Sequence, residues 1–508
     1  MKNWMKATTF RRLSVLGSIA SMGALAFSCS PAGKDSVVEG GSTAGKPATA
    51  ATGGASATGG GLPGSAGISI GVDIPKEMPD GPCMGLECQV PKCEGAPKTT
   101  ISGKVYDPAG KVPLYNVLVY VPNPTIAPVA PFTEGATCDR CGASVVNPVT
   151  SAVTDESGSF VLTDAPAGPN IPLVIQVGKW RRQIVIPGVT ACADTALTDP
   201  QVTRLPRNKT EGDIPRIAIA AGGADQMECL PRRLGIDDAE FTTSAGTGRI
   251  NLFRGNASDQ NRAPVKFDDS LNAGAVLPYV TDLWASVDSL KKYDIVILSC
   301  EGATFANEKP MAARQAMYDY ASLGGRIFAS HWHHIWFSQG PAPLPQTGGW
   351  NDRQDPTDLG AAMGATIDES FPKGAALAKW LVNVGASQTQ GQLQVTFPRD
   401  NIQSVNPTMA RQWITLDNPK ETPTKAVEYM SFNAPLNVPE EQVCGRAVYT
   451  GLHVSATKSR MRGDPEPQGF PKDCEVRDLS AQEKAVAFML FDLSACVQND
   501  DKVPKPPK

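Results

Sequence analysis

Apolar and polar residues alternate with a period of two through most of the stretch from Thr99 to about residue 190. The pattern is clear in TTISGKVYDPAGKVPLYNVLVYVPN, in VTDESGSFVLTDAPAG and in IPLVIQVGKWRRQIVIP. Successive side chains of a strand point to opposite faces, so this period predicts strands with one buried face. Glycine, proline and aspartate separate the strands and predict turns between them. The sequence therefore predicts a β-sandwich over residues 99 to 190.

The pattern changes from about Ile214, where apolar runs lengthen and alternate with helical segments. PRIAIAAGG, KKYDIVILSC, RIFASHWHH and CGRAVYTGLHVS predict strands, and PMAARQAMYDYASLGG predicts a helix. LSAQEKAVAFMLFDLSAC predicts a final helix, because Ser480 and Glu483 have capping-box spacing. Strands that alternate with helices favour a parallel sheet covered on both faces. We predict a flavodoxin-like α/β domain with a mostly parallel sheet over 209 to 498, and a polar tail over 499 to 508.

The beginning of the chain has the pattern of an export signal. MKNWMKATTFRR is basic, and the apolar run LSVLGSIASMGALAF that follows is too short for a stop-transfer helix. The run ends at Ser28 and Cys29, which resembles a bacterial lipoprotein cleavage site, although Ala26 stands where that family prefers leucine. Residues 1 to 29 are therefore expected to be a lipoprotein signal peptide with the lipid on Cys29. An ordinary secretory signal and a twin-arginine signal at Arg11 are the alternatives.

Residues 30 to 98 are rich in glycine, alanine and serine and end in a cysteine-rich stretch. Such a segment has too few large apolar side chains to offset its chain entropy, so we expect a disordered tether. A lipid on Cys29 and a long tether predict an exported protein anchored to the membrane of the bacterial cell envelope, at the outer membrane or cell surface. The formal net charge is −4 and no basic tract is present, which argues against nucleic acid as a partner.

The chain contains 12 cysteines, and all but Cys29 lie beyond the signal segment. In an exported protein they are expected to form disulfides rather than metal thiolates. The remaining number is odd, so at least one stays unpaired or pairs between chains. Cys300 is the candidate, because it ends the apolar run YDIVILSC and should be buried. Cys138 and Cys141 are expected to form a local disulfide or a link to Cys192.

Three of the 4 histidines lie together in FASHWHHIW, as His331, His333 and His334, and the fourth is His453 in VYTGLHVS. In an open α/β sheet, ligands bind at the carboxyl ends of the strands. Both segments follow predicted strands. We therefore expect these imidazoles and Ser330 to meet at one rim of the sheet.

Such a rim would suit a divalent metal such as zinc. If the strand continues through His333, then His331 and His333 lie on one face and join His453 as three imidazole ligands. Glu301 or Asp352 would complete the set with a carboxylate.

Two other interpretations stay open: a metal-free binding or catalytic cleft, and a structural cluster. The candidates for catalysis are His331, His453, Ser330 and Glu301. In a binding cleft Trp332 and Trp336 would contact the ligand, whereas in a structural cluster the imidazoles would bond to carbonyls and pack on these two tryptophans. Gly222 and Gly223 follow the first strand, and Asp225 falls in the first turn of the predicted helix after it. This turn would approach an anionic ligand, or else be a plain tight turn.

Two motifs of the first domain resemble the carboxypeptidase regulatory-like domain. They are G-x-V-x-D at Gly103, Val105 and Asp107, and T-D-x-x-G-x-F at Thr154, Asp155, Gly158 and Phe160. The likeness covers residues 99 to 190, with an insertion around 123 to 150. It implies a β-sandwich that is an accessory module without chemistry of its own.

The second domain resembles the class I glutamine amidotransferase-like superfamily, and within it the ThuA-like branch. The matching positions are Gly324, Gly325, Phe328 and His331, then Gly445, Arg446, Tyr449, Leu452 and His453. The likeness implies an α/β fold over 209 to 498, with long insertions at about 340 to 440. True amidotransferases place a cysteine nucleophile between glycines on a sharp turn. Ser330 has two aromatic neighbours at those places and His331 has Ala329 and another histidine, so glutamine hydrolysis is disfavoured.

Together these features predict a surface-anchored bacterial lipoprotein that acts as a binding or scaffold protein toward carbohydrate or an envelope polymer. The alternative function is a hydrolase, metal-dependent in one version, that uses His331, His333 and His453.

Overall fold

The computed structural model describes residues 83–141, 145, 147–256, 264–352, 359–421, 424–454 and 469–506. These residues belong to one compact unit that begins at Gly71. The expected signal peptide, the lipidation site Cys29 and most of the expected tether lie outside the described residues. In the described parts, no helix is both long enough and apolar enough to cross a membrane.

Two sheets form the first domain. A three-stranded sheet has the order β4-β1-β7, and a five-stranded sheet has the order β3-β2-β5-β6-β8. The strands are β1 Thr100–Lys104, β2 Leu118–Val121, β3 Thr150–Val153, β4 Ser159–Thr163, β5 Gly168–Val177, β6 Trp180–Val189, β7 Asp194–Leu197 and β8 Gly212–Asp213.

The alternating sequence explains why these strands form two facing layers. In β4, Phe160 and Leu162 are buried, whereas Val161 between them is exposed. The buried side chains join Ile101 of β1 and Val119 of β2 in one apolar core. β4 thus buries one face against the opposite sheet, as the period of two predicts.

A ten-stranded sheet forms the second domain, in the order β10-β11-β9-β12-β13-β20-β19-β18-β15-β16. Its strands are β9 Ile217–Ala221, β10 Phe241–Thr242, β11 Ile250–Arg254, β12 Ile295–Leu298, β13 Arg326–Ser330, β15 Ala362–Ile367, β16 Gln392–Thr396, β18 Arg411–Asp417, β19 Lys425–Ala434 and β20 Gly445–Thr450. A separate two-stranded sheet pairs β14 Gly348–Trp350 with β17 Ile402–Val405.

The large sheet is mixed, which corrects the expectation of a mostly parallel sheet. The pairings from β10 across to β20 are parallel, and those from β20 across to β16 are antiparallel. The antiparallel edge comes from the insertion at about 340 to 440 and the strand after it. Short connections join β18 to β19 and β19 to β20, and these suit antiparallel neighbours, whereas parallel neighbours need a long crossover.

Helices cover both faces of this sheet. The described helices are α1 Pro200–Thr203, α2 Cys229–Arg233, α3 Val287–Leu290, α4 Met311–Ser322, α5 Ile335–Ser338, α6 Pro372–Asn383 and α7 Ala481–Ser494. In β9, Ile217 and Ile219 enter the core shared with α6, α7 and the first domain, whereas Ala218 and Ala220 enter the core that contains α4. The capping box of α7, with Ser480 and Glu483, is confirmed.

Five disulfides cross-link the described chain, at Cys83–Cys88, Cys93–Cys192, Cys138–Cys444, Cys141–Cys496 and Cys229–Cys474. Cys300 is free and buried, as predicted. The expectation for Cys138 and Cys141 is wrong: each pairs with the second domain. The reason is that their segment lies against the end of the chain, where Arg140 forms a β-bridge with Val497.

Candidate functional site

The carboxyl ends of four neighbouring strands meet at one edge of the large sheet. β9, β12, β13 and β20 are adjacent and parallel, so the residues that follow them lie side by side. These residues include Asp225 after β9, Cys300 after β12, His331 after β13 and His453 after β20. All four are buried.

The structure brings the two distant histidine segments together. The ring centroids of His331 and His453 are 5.0 Å apart. The Sγ atom of Cys300 lies 3.2 Å from Nδ1 of His331. One possible ligand atom from each of the three residues lies within 4.8 Å of the other two. These three residues are called the Cys–His–His cluster below.

Asp225 holds both histidine segments in place. Its Oδ2 accepts a hydrogen bond of 2.9 Å from the hydroxyl of Ser330, which precedes His331. Its Oδ1 accepts one of 2.9 Å from the backbone N–H of Val454, which follows His453. The expectation that Asp225 lies in the first turn of a helix is wrong, because α2 begins at Cys229. The carboxylate instead fixes the spacing of the two imidazoles.

The strand that carries the first histidine segment ends at Ser330, so it does not continue through His333. His331 to His334 form a 3-10 helix, so His331 and His333 do not share a strand face. Nδ1 of His333 accepts a hydrogen bond of 3.0 Å from Trp336, and Nε2 lies 2.9 Å from the carbonyl oxygen of Ser299. Both ring nitrogens of His333 are therefore bonded to protein atoms.

The backbone turns sharply at His331. Its φ is 45°, in the left-handed region that a non-glycine residue seldom adopts. This conformation turns the chain from β13 into the 3-10 helix and directs the imidazole toward Cys300. Backbone strain of this kind is often found at functional sites.

Glu301 forms a buried ion pair instead of facing the histidines as a free carboxylate. The Nζ atom of Lys309 donates to its Oε2 over 2.6 Å, and the backbone N–H of Asn256 donates to its Oε1 over 2.8 Å. Burial raises the pKa of Glu301, and the Lys309 charge opposes this effect. Its oxygen Oε2 is 3.6 Å from Nε2 of His333, and so belongs to the same packed group.

The remaining predicted residues have packing contacts. Nε2 of His334 is 2.9 Å from Oδ1 of Asp352, so these two residues contact each other. Trp336 packs edge to face against another tryptophan, and Trp332 lies against the ring of His331. Gly222 and Gly223 are buried in the turn after β9. A Cβ atom on Gly222 would lie 2.2 Å from the carbonyl oxygen of Cys300, so this turn needs glycine for close packing.

The Cys–His–His cluster is electrically neutral without a ligand. Burial raises the pKa of the Cys300 thiol to about 12, and hydrogen bonds from backbone N–H groups oppose it only in part. Burial and then His453 hold the pKa of His331 well below its usual range. Burial and then the Arg399 charge lower the pKa of His453 to about 3. Near pH 7 the cluster therefore holds a thiol and two neutral imidazoles.

A polar cleft of about 790 Å³ lies at the other end of β20, where β18 begins and β19 ends. Polar residues along it include Arg411, Asn433, Asn437, Glu440, Asp501 and Lys502. Two ion pairs cross its surface, Arg411 with Asp501 and Lys502 with Glu440. The start of the polar tail forms part of its wall, because Asp500 is buried against Arg446. A cleft of this size is in the range of small-ligand sites.

The sequence did not predict the role of Cys300 in the cluster or the cleft. In the structure β12 and β13 pair with Leu298 opposite Ala329, which puts Cys300 opposite His331, and this register is not visible in the sequence. The cleft depends on where the polar tail returns to the sheet, and no local pattern reports this.

No protein-family model matches the chain, and no curated protein matches it. Among solved structures, a ThuA-like protein from Bacteroides uniformis is 12% identical, covers 43% of this chain and 76% of its own, and has a TM-score of 0.23. A cytoplasmic protein from Salmonella typhimurium is 12% identical, covers 55% and 98%, and has a TM-score of 0.26. A chain of a type II cohesin–X-dockerin complex from Acetivibrio cellulolyticus is 19% identical, covers 30% and 79%, and has a TM-score of 0.14. Scores this low support no conclusion about function.

Proposed function

We propose that this protein is an envelope-anchored lipoprotein that binds a carbohydrate or another envelope polymer and does not hydrolyse it. We include in this proposal the lipid on Cys29, the tether, a carboxypeptidase regulatory-like first domain and a ThuA-like second domain. The five disulfides support an oxidising compartment outside the cytoplasm.

One observation carries the choice of binding over hydrolysis: the serine and the carboxylates proposed for catalysis are buried inside the protein. Ser330 donates to Asp225, and both side chains have no exposed surface, so a substrate does not reach this pair. Glu301 is bound by Lys309, and both side chains have no exposed surface. Hydrolysis would require an activated nucleophile within reach of a base and of the substrate.

The polar cleft is the proposed polymer site. Its charged and amide side chains can hydrogen-bond to sugar hydroxyls. The cleft lies at the amino end of β20, away from the Cys–His–His cluster. Binding at the cleft and chemistry at the cluster are therefore separable by mutation.

The test uses the full-length protein in detergent and its retention on immobilised polysaccharide and peptidoglycan fractions of a bacterial envelope. The cleft variant carries Glu440→Ala and Lys502→Ala, which removes an exposed pair and leaves the net charge unchanged. The matched control carries Lys98→Ala and Asp164→Ala, an exposed pair of similar length on the first domain. We expect retention of the wild type and the control, and affinity lowered about tenfold in the cleft variant. Absence of retention on every fraction would contradict the proposal.

Lipidation is tested separately with Cys29→Ser. The wild type should incorporate a labelled fatty acid and sediment with membranes. The variant should do neither, because it lacks the residue to which the lipid is attached. Equal sedimentation without label would refute the lipid anchor.

A thiol-dependent hydrolase is the second candidate, because Cys300 lies 3.2 Å from His331, within reach of a base. The raised pKa and full burial of this thiol argue against it, since the thiolate is the nucleophile. Turnover of ester or amide substrates that disappears in Cys300→Ala would establish this function. No turnover in the wild type would remove it.

A further inference from the structure

We propose that the Cys–His–His cluster is a site for a transition-metal ion of the zinc type, held by Cys300, His331 and His453. This class of ion takes thiolate sulfur and imidazole nitrogen together, which carboxylate-preferring ions such as magnesium do not. The site is separate from the polar cleft and does not depend on polymer binding.

The geometry is close to that of a metal-bound set. In a tetrahedral zinc site the ligand atoms lie roughly 3.3 to 3.6 Å apart, as follows from Zn–S of about 2.3 Å and Zn–N of about 2.0 to 2.1 Å. Here Sγ of Cys300 and Nδ1 of His331 are 3.2 Å apart. The atoms of all three residues lie within 4.8 Å of one another. Side-chain movements of about 1 Å would complete the set.

A second observation points to a ligand at the same place. Nε2 of His453 is buried and has no hydrogen-bond partner among the described residues. His453 has 6% of its surface exposed, so water does not readily replace a missing partner. A buried polar atom without a partner costs free energy and needs an explanation. His333 gives the contrast, because both of its ring nitrogens are bonded to protein atoms.

The surrounding structure orients these ligands before any ion binds. Asp225 bonds to the residue before His331 and to the residue after His453. The carbonyl oxygen of His453 accepts a hydrogen bond of 2.8 Å from Gln482 of α7. Groups that fix the ligands in this way commonly change metal affinity by about 10- to 100-fold when they are replaced.

The local charges allow a divalent ion. The Arg399 guanidinium acts on His331 and His453 and opposes a cation. Metal binding would convert the Cys300 thiol to a thiolate, and the Asp225 carboxylate lies nearby as a second negative group. These two charges offset the arginine. Three protein ligands leave a fourth position open for water or another small ligand.

The free thiol itself fits this assignment. Ten described cysteines are paired in disulfides, and Cys300 is the free one. Metal coordination in a buried site would keep it reduced in a compartment where other thiols are oxidised.

The test titrates untagged, disulfide-intact, full-length protein with Co²⁺, followed by displacement with Zn²⁺. Cobalt bound to a thiolate gives a sulfur-to-metal charge-transfer band, so the spectrum reports Cys300 directly. We expect one equivalent of Co²⁺ to produce the band and one equivalent of Zn²⁺ to remove it. Cys300→Ser and His453→Ala should lose the band, and Asp225→Asn should weaken Co²⁺ binding about 10- to 100-fold.

His333→Asn is the matched control, a buried histidine in the same segment whose ring nitrogens are both bonded to other protein atoms. It should keep the band, and circular dichroism without metal should verify the fold of every variant. If a variant does not fold, the wild-type titration still decides. Absence of the band in folded wild type, or its persistence in Cys300→Ser, would overturn the proposal.

Discussion

Four buried charges connect α6, β20, α7 and the tail, and removing one of them should cost much of the protein's stability. Lys373 of α6 lies 2.7 Å from Asp492 of α7 and 3.5 Å from Asp500 of the tail. Arg446 of β20 lies 3.2 Å from Asp492 and 3.0 Å from Asp500. Each of these side chains is less than one-tenth exposed. Two cations thus balance two carboxylates in a dry interior.

Lys373→Met keeps the length of the side chain and removes its charge. Two buried carboxylates would then share one guanidinium. The easiest relief is protonation of one aspartate, which at pH 7 costs about 4 kcal/mol for an ordinary pKa near 3.9. This agrees with the roughly 3 to 5 kcal/mol that is lost when one partner of a buried pair is removed. We expect the free energy of unfolding to fall by about 4 kcal/mol at pH 7.

The same reasoning gives a pH dependence with a definite sign. In the variant, the pKa of the protonated aspartate is higher in the folded state than in the unfolded state. The folded state then binds more protons, so stability relative to wild type falls as the pH rises from about 4 to 7. Near pH 4 the difference should nearly vanish.

Denaturant-induced unfolding with intact disulfides, followed by tryptophan fluorescence, measures the effect. Lys379→Met is the matched control on the same helix. Its ammonium is 3.4 Å from Glu156 and about half exposed, so the loss should be below about 1 kcal/mol. Adding Asp492→Asn to Lys373→Met should restore most of the stability. A loss below about 1 kcal/mol for Lys373→Met, or the same loss at pH 4 and pH 7, would refute this account.

Three further predictions concern other parts of the second domain. Burial raises the pKa of Glu428 to about 8. Wild-type stability should therefore fall as the pH rises from about 4.5 to 8. Glu428→Gln should flatten a plot of melting temperature against pH. An unchanged slope would contradict this. Gly222→Ala should lower the free energy of unfolding in denaturant by about 2 kcal/mol or more, because the new Cβ would lie 2.2 Å from the carbonyl oxygen of Cys300. A neutral effect would show that the turn can relax. Cys141→Ala with Cys496→Ala should lower the free energy of unfolding by about 2 to 4 kcal/mol, since that bridge closes a long loop. A change within error would refute the contribution of this disulfide to stability.

Strands and helices with a regular hydrophobic pattern were predictable from the sequence, because the pattern itself reports which faces of the element are buried. The alternation in β4 and the apolar run of β9 report burial on one face and on two faces respectively. The capping box at Ser480 is local, and so was also predictable. The antiparallel edge of the large sheet was not, since it arises inside a long insertion, and the alternation of a strand such as β16 does not report which strand it pairs with.

The candidate site was predictable only in part, for reasons of register. That His331 and His453 follow strands is visible in the sequence, but the end of β13 at Ser330 is not, and this end decides where His333 points. The position of Cys300 depends on the pairing of β12 with β13. The partners of Cys138 depend on how two domains pack, which no spacing of cysteines reports.

X-ray absorption spectroscopy of the full-length protein loaded with one equivalent of zinc tests the central claim most directly. The account predicts one sulfur at about 2.3 Å and imidazole nitrogens at about 2.0 to 2.1 Å, with the sulfur lost in Cys300→Ser. A shell of oxygen and nitrogen without sulfur, or sulfur that persists in that variant, would contradict it.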